Sequence, residues 1–347
     1  MTDRAEATAG TGAGADTLGR PLRDLRVSVT DRCNFRCQYC MPSEVYGERY
    51  EFLPREEVLT FEEISRLARI FVQLGVSKVR VTGGEPLVRR KLAELIRMLV
   101  LIDGLEDLAL TTNGILLAEH AASLRQAGLR RVTVSLDSLQ DAVFRKMSGS
   151  TASPEQVLAG MDAAVRAGLG PVKVNMVVIK GVNDGEIEAM AARCRAAGHI
   201  LRFIEYMDVG TLNAWERGEV VSGKEIIGRI HRVMPIEPCE PAAMGEVARR
   251  YRYRDGTGEI GVITSVTQTF CRGCTRARLS ADGHFYTCLF ADHGLNLRDM
   301  LRRGAGDDEI FNLIWMTWGR RTDRYSELRG AQSAVEREKV EMFRMGG

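Results

Sequence analysis

The residues most able to do chemistry are cysteines, and six of the chain's eight fall into two groups of three. The first group has C-x3-C-x2-C spacing and comprises Cys33, Cys37 and Cys40. The second has C-x2-C-x13-C spacing and comprises Cys271, Cys274 and Cys288. Structural zinc and protein-saturated iron–sulfur clusters both take four protein ligands as a rule. Three thiolates therefore predict a metal centre with one position open to a small molecule.

Zinc remains an alternative for the second group. Either His284 or His293 could supply a fourth ligand there, so that triplet alone is compatible with zinc. The first triplet has no such candidate nearby, which favours a cluster. The other two cysteines, Cys194 and Cys239, belong to no motif and are predicted to be ordinary thiols.

An alternation of strands and helices from Leu25 onward predicts the frame that positions these groups. Six strand patterns recur, separated by amphipathic helices: LRVSVT, KVRVTG, LALTTNG, RVTVSLD, VKVNMVVIK and ILRFIEYMDV. Helices of this length between strands indicate parallel βα units, and six units rather than eight indicate an incomplete (β/α)6 barrel. The polar sequences TGGEP, TTNG, SLDS and EYMD follow strands, at the rim where barrels bind ligands.

The pattern changes after residue 212. Two hairpins are predicted, with turns at Asp255-Gly256 and Asp282-Gly283, before helices near EIFNLIWMTWGRR. We therefore expect an α/β protein in three parts. These are a disordered tail over residues 1–19, a partial barrel over residues 20–212 and a C-terminal α+β unit over residues 213–347.

Composition excludes several classes of protein. The net charge of +2 gives no reason to expect a nucleic-acid or membrane partner. No apolar run approaches the roughly 20 residues of a spanning helix, and the N-terminus lacks the apolar stretch of a secretory signal. The chain has no P-loop and no HExxH motif, which excludes those phosphoryl-transfer and hydrolytic zinc sites. A cytoplasmic enzyme with reduced cysteines is expected.

The first triplet resembles the signature of radical S-adenosylmethionine (SAM) enzymes. The sequence RCNFRCQYCMP places an aromatic residue before the last cysteine, and GGEP follows the second strand. The second triplet narrows the resemblance to the GTP 3′,8-cyclase family, from about Leu22 to Gly347. The similar stretches are RVSVTDRCNFRCQYCMP, VRVTGGEPLVRR, LTTNG, VSLDS, RFIEYMDVG, CRGCTRARLSADG and a terminal Gly-Gly.

The resemblance implies a fold, cofactors and a reaction. It implies a radical SAM partial barrel with a C-terminal cluster domain, two [4Fe–4S] clusters and SAM. The implied lyase reaction converts GTP to (8S)-3′,8-cyclo-7,8-dihydroguanosine 5′-triphosphate, the first step of molybdenum cofactor (molybdopterin) biosynthesis. An electron donor such as flavodoxin or ferredoxin, and cyclic pyranopterin synthase as the next enzyme, are the implied partners. A monomer or homodimer is expected.

The resemblance also assigns site residues. SAM contacts are expected from Tyr39, Gly84, Ser135 and Met207. GTP contacts are expected from Arg26, Arg80, Thr111, Lys173, Arg202, Arg276, Ala277 and Arg278. Catalytic roles fall on Arg26, Arg276, Arg278, Gly346 and Gly347, the two glycines entering the site. Basic residues that converge on a barrel mouth would be costly unless an anion such as a triphosphate neutralised them.

Two other functions fit parts of the pattern. One is a peptide-modifying radical SAM enzyme with an auxiliary cluster, and GTP binding separates it from the cyclase. The other is a zinc-binding module that contacts nucleic acid, and iron and sulfide analysis separates that one.

Overall fold

The computed structural model describes residues 14–47, 49–211, 214–241, 245–329 and 339–346. The six predicted strands are confirmed as a continuous parallel series. They are β1 (Asp24–Ser28), β2 (Lys78–Thr82), β3 (Asp107–Thr112), β4 (Arg131–Ser135), β5 (Lys173–Val178) and β6 (Ile200–Glu205). Each pairs in parallel with the next, from β1 to β6.

The predicted hairpins are also present, but they do not form a separate sheet. The later strands are β7 (Ile236–Pro238), β8 (Arg249–Tyr253), β9 (Glu259–Ile263), β10 (Arg276–Leu279), β11 (His284–Tyr286) and β12 (Leu295–Asn296). Strand β10 pairs in parallel with β1, and β9 pairs in parallel with β6. The sheet order is β12-β11-β10-β1-β2-β3-β4-β5-β6-β9-β8-β7. The C-terminal unit therefore extends the barrel sheet at both edges.

Most of the helices cover the outer face of the sheet, where they bury the apolar core, whereas residues of the two short C-terminal helices line the cavity. Those of the barrel are α1 (Phe61–Gln73), α2 (Leu92–Val100), α3 (Leu117–Gln126), α4 (Asp141–Ser148), α5 (Pro154–Arg166) and α6 (Ile187–Ala196). Those that follow are α7 (Gly223–Val233), α8 (Leu297–Arg302), α9 (Asp307–Gly319), α10 (Tyr325–Leu328) and α11 (Met342–Met345). In the described residues, no helix is long and apolar enough to cross a membrane.

Local sequence explains where several helices begin. Thr60 and Glu63 form a reciprocal capping box at the start of α1, as their spacing predicts. Ser153 caps α5, and Pro154 occupies its first turn, where a missing N–H does no harm.

Alternation within the strands separates the core from the cavity. In β1, Leu25 and Val27 are fully buried in the core, whereas Arg26 between them lines the inner face of the barrel. In β2, Val79 and Val81 are likewise buried, and Arg80 faces inward. Period-two patterning thus places basic side chains inside a sheet whose other face is apolar.

The N-terminal segment differs from the predicted tail. Residues 14–19 are structured: Ala15 forms a β-bridge with Pro21, and Asp16 is buried with 6% exposure. The reason is an ion pair between Asp16 and Arg20, with 2.6 Å between Oδ2 and Nε. Composition could not reveal one buried carboxylate in a polar, glycine-rich stretch. Residues 1–13 of the predicted tail lie outside the described residues.

Candidate active site

A cavity of about 740 Å³ lies inside the barrel and at its C-terminal rim. All six motif cysteines line it, although they come from opposite ends of the sequence. Predicted cofactor and substrate residues line it too: Arg26, Tyr39, Arg80, Gly84, Thr111, Ser135, Lys173, Arg202, Met207, Arg276 and Arg278. The structure therefore brings most of the predicted set to one place.

The first triplet lies on the loop after β1. The N–H of Cys40 donates to the carbonyl of Cys37 at 3.0 Å, and Arg36 donates to the carbonyl of Cys33 at 2.8 Å. The N–H of Phe35 lies 3.4 Å from the Cys33 sulfur. Burial raises the pKa of the Cys33 thiol to about 12 and moves the pKa values of Cys37 and Cys40 in the same direction. Buried thiolates need a compensating cation, and three thiolates are the donor set of an iron–sulfur cluster with an open iron.

A tyrosine and a carboxylate adjoin this triplet. The Tyr39 hydroxyl donates to Asp137 at 2.7 Å, and the other oxygen of Asp137 accepts the Val177 N–H at 2.8 Å. Burial raises the pKa of Asp137 to about 6, despite the hydrogen bond from Tyr39. Asp137 was not predicted as a site residue, although its position in SLDS, at a strand end, was a usable signal.

The glycine pair of TGGEP allows two loops to approach closely. A Cβ on Gly84 would lie 2.3 Å from the carbonyl oxygen of Arg32, so only glycine fits beside the cysteine loop. The following Glu85, also missed, is buried and accepts hydrogen bonds from the Thr112 hydroxyl and the Asn113 N–H, both at 2.7 Å. Burial raises the pKa of Glu85 to about 7. This carboxylate ties the ends of β2 and β3 together.

Three arginines lie side by side across neighbouring strands. Arg26 of β1 is in register with Arg80 of β2 on one side and Arg278 of β10 on the other. Burial, followed by the charges of Arg278, Arg276 and Arg80, holds the pKa of Arg26 well below its usual range. Burial also lowers the pKa of Arg80 and of Arg278 to about 10. The row is therefore a strong site for an anion.

The barrel wall continues this cationic surface. Arg80 donates to the hydroxyls of Thr111 at 3.1 Å and Thr133 at 3.0 Å, which fixes its direction. Lys173 is in register with Thr133, and its pKa is lowered to about 7 by burial and then by the charge of Arg202. Burial also lowers the pKa of Arg202.

The second triplet lies opposite the first, beside β10. Burial raises the pKa of Cys274, but Arg276 and Arg321 outweigh it and lower that pKa to about 6. Arg276 Nη2 is 3.7 Å from the Cys274 sulfur. Burial raises the pKa of Cys288 to about 11. A thiolate stabilised by guanidinium groups, within a set of three, fits an iron–sulfur cluster.

Neither histidine of the zinc alternative is directed to these thiols. His284 Nδ1 pairs with Asp282 at 3.1 Å, and the side chain of His293 is 91% exposed beside Asp292. Within the described residues, no three His, Cys, Asp or Glu side chains converge as they would around a single metal ion.

Two of the predicted site residues, Ala277 and Gly346, are not among the residues that line the cavity. The side chain of Ala277 is fully buried opposite Leu25 on the core face, so only its backbone is available to the cavity. Gly346 is buried against β2, where a Cβ would lie 2.2 Å from Thr82 Cγ2, and its φ is +68°. Since Thr82 lines the cavity, Gly346 lies at the rim. Gly347 lies outside the described residues.

The segment before Gly346 is fastened to the loop after β6. Lys339 pairs with Asp208 at 3.2 Å, and Glu341 accepts from the Thr211 hydroxyl at 2.8 Å. Phe343 packs against Tyr46, with ring centroids 5.0 Å apart. These contacts fix how the C-terminal segment enters the rim.

Comparisons with known proteins agree with this geometry. Residues 27–194 match the profile of the Radical SAM superfamily, and residues 199–327 match that of Molybdenum Cofactor Synthesis C. A GTP 3′,8-cyclase of Acidothermus cellulolyticus is 56% identical over 327 residues, which cover 93% of this chain and 90% of the relative. A GTP 3′,8-cyclase of Staphylococcus saprophyticus is 49% identical, with 96% and 98% covered.

Solved structures support the fold alone. Streptococcus suis SuiB bound to S-adenosylmethionine has a TM-score of 0.58 at 14% identity, covering 91% of this chain and 69% of that one. Methylornithine synthase (PylB) has a TM-score of 0.51 at 16% identity, with 90% and 86% covered. Both likenesses fit a partial barrel with further C-terminal structure.

Proposed function

This chain belongs to the GTP 3′,8-cyclase family of radical SAM enzymes, and we propose that it converts GTP to (8S)-3′,8-cyclo-7,8-dihydroguanosine 5′-triphosphate in the first step of molybdenum cofactor biosynthesis. The reaction makes it a lyase. Of the two alternatives, neither the peptide-modifying enzyme nor the zinc module accounts for relatives of this identity and coverage.

The observation that carries the proposal is the row Arg278–Arg26–Arg80 in a cavity lined by both triplets. Adjacent buried guanidinium groups repel one another until an anion lies between them. A triphosphate supplies several charged oxygens that accept bidentate hydrogen bonds from arginine. The row of arginines therefore supports a nucleoside triphosphate as the substrate, bound inside the barrel.

We assign a [4Fe–4S] cluster to each triplet and SAM to the rim beside the first. When bound, SAM and the reduced first cluster would supply the radical chemistry that takes the 3′ hydrogen of the ribose. Closing the C3′–C8 bond to give the 7,8-dihydro product then requires one further electron, from the electron donor, and one proton. The SAM contacts proposed for this chain are Tyr39, Gly84, Ser135 and Met207.

The protein's own part is to bind, orient and exclude water. Arg26, Arg80 and Arg278 bind the triphosphate. This contact fixes the position of the ribose along the barrel axis. Arg276 adjoins both this row and the second triplet, so it orients the base end of the nucleotide. Gly346 brings backbone without a side chain to the rim, where it narrows the opening.

The proposal extends to the protein's surroundings. A cytoplasmic location, an electron donor such as flavodoxin or ferredoxin, a monomer or homodimer, and cyclic pyranopterin synthase as the next enzyme are all part of it. The division into a barrel up to residue 212 and a substrate and cluster unit after it is retained, with the shared sheet described above.

An anaerobic assay with GTP, SAM and a reductant, followed by chromatography and fragment-ion mass analysis of the nucleotide, tests the proposal. The expected product is an isomer of GTP with the same mass, so it is recognised by its separate elution and its fragments, and it forms together with 5′-deoxyadenosine and methionine. About eight irons and eight sulfides per chain are expected for two clusters. Stoichiometric zinc without sulfide, or SAM cleavage that leaves GTP unchanged, would contradict the proposal.

A further inference from the structure

A network of four charged side chains, three of them buried and Asp323 32% exposed, adjoins the second triplet and was assigned no role from the sequence. Its members are Asp16, Arg20, Arg321 and Asp323, from two segments about 300 positions apart. The side chains of Arg20 and Arg321 are 2% and 1% exposed, and that of Asp16 is 0% exposed. Ions this deeply buried are costly and persist where their hydrogen bonds are well satisfied.

Asp16 organises the two arginines. Its Oδ2 accepts from Arg20 Nε at 2.6 Å and lies 3.4 Å from Arg321 Nη1. Its Oδ1 accepts the backbone N–H groups of Leu18 and Arg20, both at 2.9 Å. The carboxylate therefore fixes both the turn that carries Arg20 and the direction of its guanidinium group.

The network reaches all three cysteines of the second triplet. Arg20 Nη1 donates to the carbonyl of Cys271 at 2.8 Å, and Arg321 Nη1 donates to the carbonyl of Cys274 at 2.8 Å. The third cysteine is reached through its neighbour, because the Thr287 hydroxyl donates to Asp323 Oδ2 at 2.6 Å. Arg321 Nε also bonds to Asp323 Oδ2, at 3.3 Å. One network thus ties three separate cysteine-bearing positions together.

One hydrogen-bond donor of the network has no acceptor among the described residues. Within the described part of the chain, Arg20 Nη2 is buried and has no hydrogen-bond partner. Arg20 and Arg321 both line the cavity that the three cysteines line. A buried guanidinium N–H without a partner costs free energy, so the position favours an acceptor supplied by whatever the triplet holds. Cluster sulfides and cysteine thiolates are such acceptors.

We propose that Asp16, Arg20 and Arg321 are positioning residues of the second cluster site: they hold the three cysteines in place, and Arg20 Nη2 donates a hydrogen bond to a sulfur of the cluster. The inference rests on the proposed function, because it requires a second cluster. Asp16 and Asp323 balance the two arginine charges, so the network contributes hydrogen bonds and geometry rather than net charge. Hydrogen bonds to cluster sulfurs raise the reduction potential.

The test uses the full chain, reconstituted with iron and sulfide without oxygen. In Arg20→Met and Asp16→Asn we expect iron and sulfide to fall from about eight to about four per chain, while SAM cleavage at the first site continues. In Arg20→Lys, which keeps a charge but loses the guanidinium fork, we expect the second cluster to be retained with a more negative reduction potential. The matched control is Arg229→Met, which removes a partly buried arginine that is paired with Glu188 at 2.6 Å and does not line the cavity.

The outcomes separate the inference from the proposed function. A wild-type protein with only about four irons per chain would overturn the second cluster itself. A wild-type protein with the full content, together with unchanged iron, sulfide and potential in the Arg20 variants, would overturn the network's role. If Arg20→Met is unfolded by circular dichroism, the potential of Arg20→Lys decides, and an unshifted value overturns the inference.

Discussion

Replacing Arg26 by methionine should change stability and GTP binding in opposite directions. Neighbouring strands are about 4.8 Å apart, so at an effective dielectric constant near 20 each like-charged neighbour costs Arg26 about 3 kcal/mol. The total repulsion of Arg26 by its two neighbours is smaller than twice this value, because solvent in the cavity and side-chain relaxation weaken it. Replacing a buried ion pair by hydrophobic residues of similar volume is often neutral or stabilising by about 1–4 kcal/mol, and a row of like charges has less mutual compensation to lose than an ion pair. We therefore expect Arg26→Met to raise the free energy of unfolding of the nucleotide-free protein by about 2 kcal/mol.

The same substitution should weaken GTP binding. Arg26 lies in the middle of the row, where it can make two charge-assisted hydrogen bonds to a triphosphate at about 1.5–3 kcal/mol each. A net loss of about 3 kcal/mol corresponds to a dissociation constant about 150 times larger. Isothermal titration calorimetry of the anaerobic holoenzyme measures the affinity, and thermal unfolding without GTP measures the stability.

Arg131 provides the matched control. It lines the same cavity, but its guanidinium is already paired with Asp107, with 2.9 Å between Nε and Oδ1. We expect Arg131→Met to lower stability, because it leaves a carboxylate unpaired, and to change GTP affinity only a few-fold. The reasoning is refuted if Arg26→Met destabilises the protein as much as Arg131→Met does and binds GTP like the wild type.

Three further results are expected. Gly346→Ala should abolish product formation, because the new Cβ would lie 2.2 Å from Thr82 Cγ2 and would push this short C-terminal segment off the rim. Thermal unfolding should change little, since the barrel core is untouched, and wild-type turnover would contradict the prediction. Lys173 has a pKa lowered to about 7, so it loses its charge as pH rises through 7, whereas the arginine in Lys173→Arg stays charged. GTP affinity of the wild type should therefore fall relative to Lys173→Arg between pH of about 6 and 8.5, and a constant ratio in calorimetry would contradict this. Cys33→Ser should stop SAM cleavage, whereas Cys271→Ser should retain some cleavage without cyclised product; chromatography of 5′-deoxyadenosine and nucleotide distinguishes them, and equal product in both would contradict the division.

Local signals predicted the elements of the barrel well. Thr60 with Glu63 and Ser153 with Pro154 specify helix starts through short-range hydrogen bonds and backbone geometry, which a sequence displays directly. The turn at Asp282-Gly283 likewise predicted the hairpin of β10 and β11. That hairpin signal says nothing about the second neighbour of β10, which is β1 in parallel. Such a pairing depends on tertiary packing and leaves no local pattern.

The candidate site shows the same limit. Cysteine spacing identified both triplets, and strand alternation placed Arg26 and Arg80 inside the barrel. Asp16 and Arg321 were not predicted, because their importance comes from a contact between residues 305 positions apart. Buried pairs of this kind look like ordinary surface charges until both segments are placed in space.

The edge pairings of the sheet have a consequence for synthesis on the ribosome. Strands β1 and β6 are made before their outer partners β10 and β9, which lie in the last third of the chain. Until those strands appear, the nascent barrel presents two unpaired backbone edges, which are templates for aggregation. The barrel that carries the first cysteine loop therefore has both sheet edges paired only after β9 and β10 have been made.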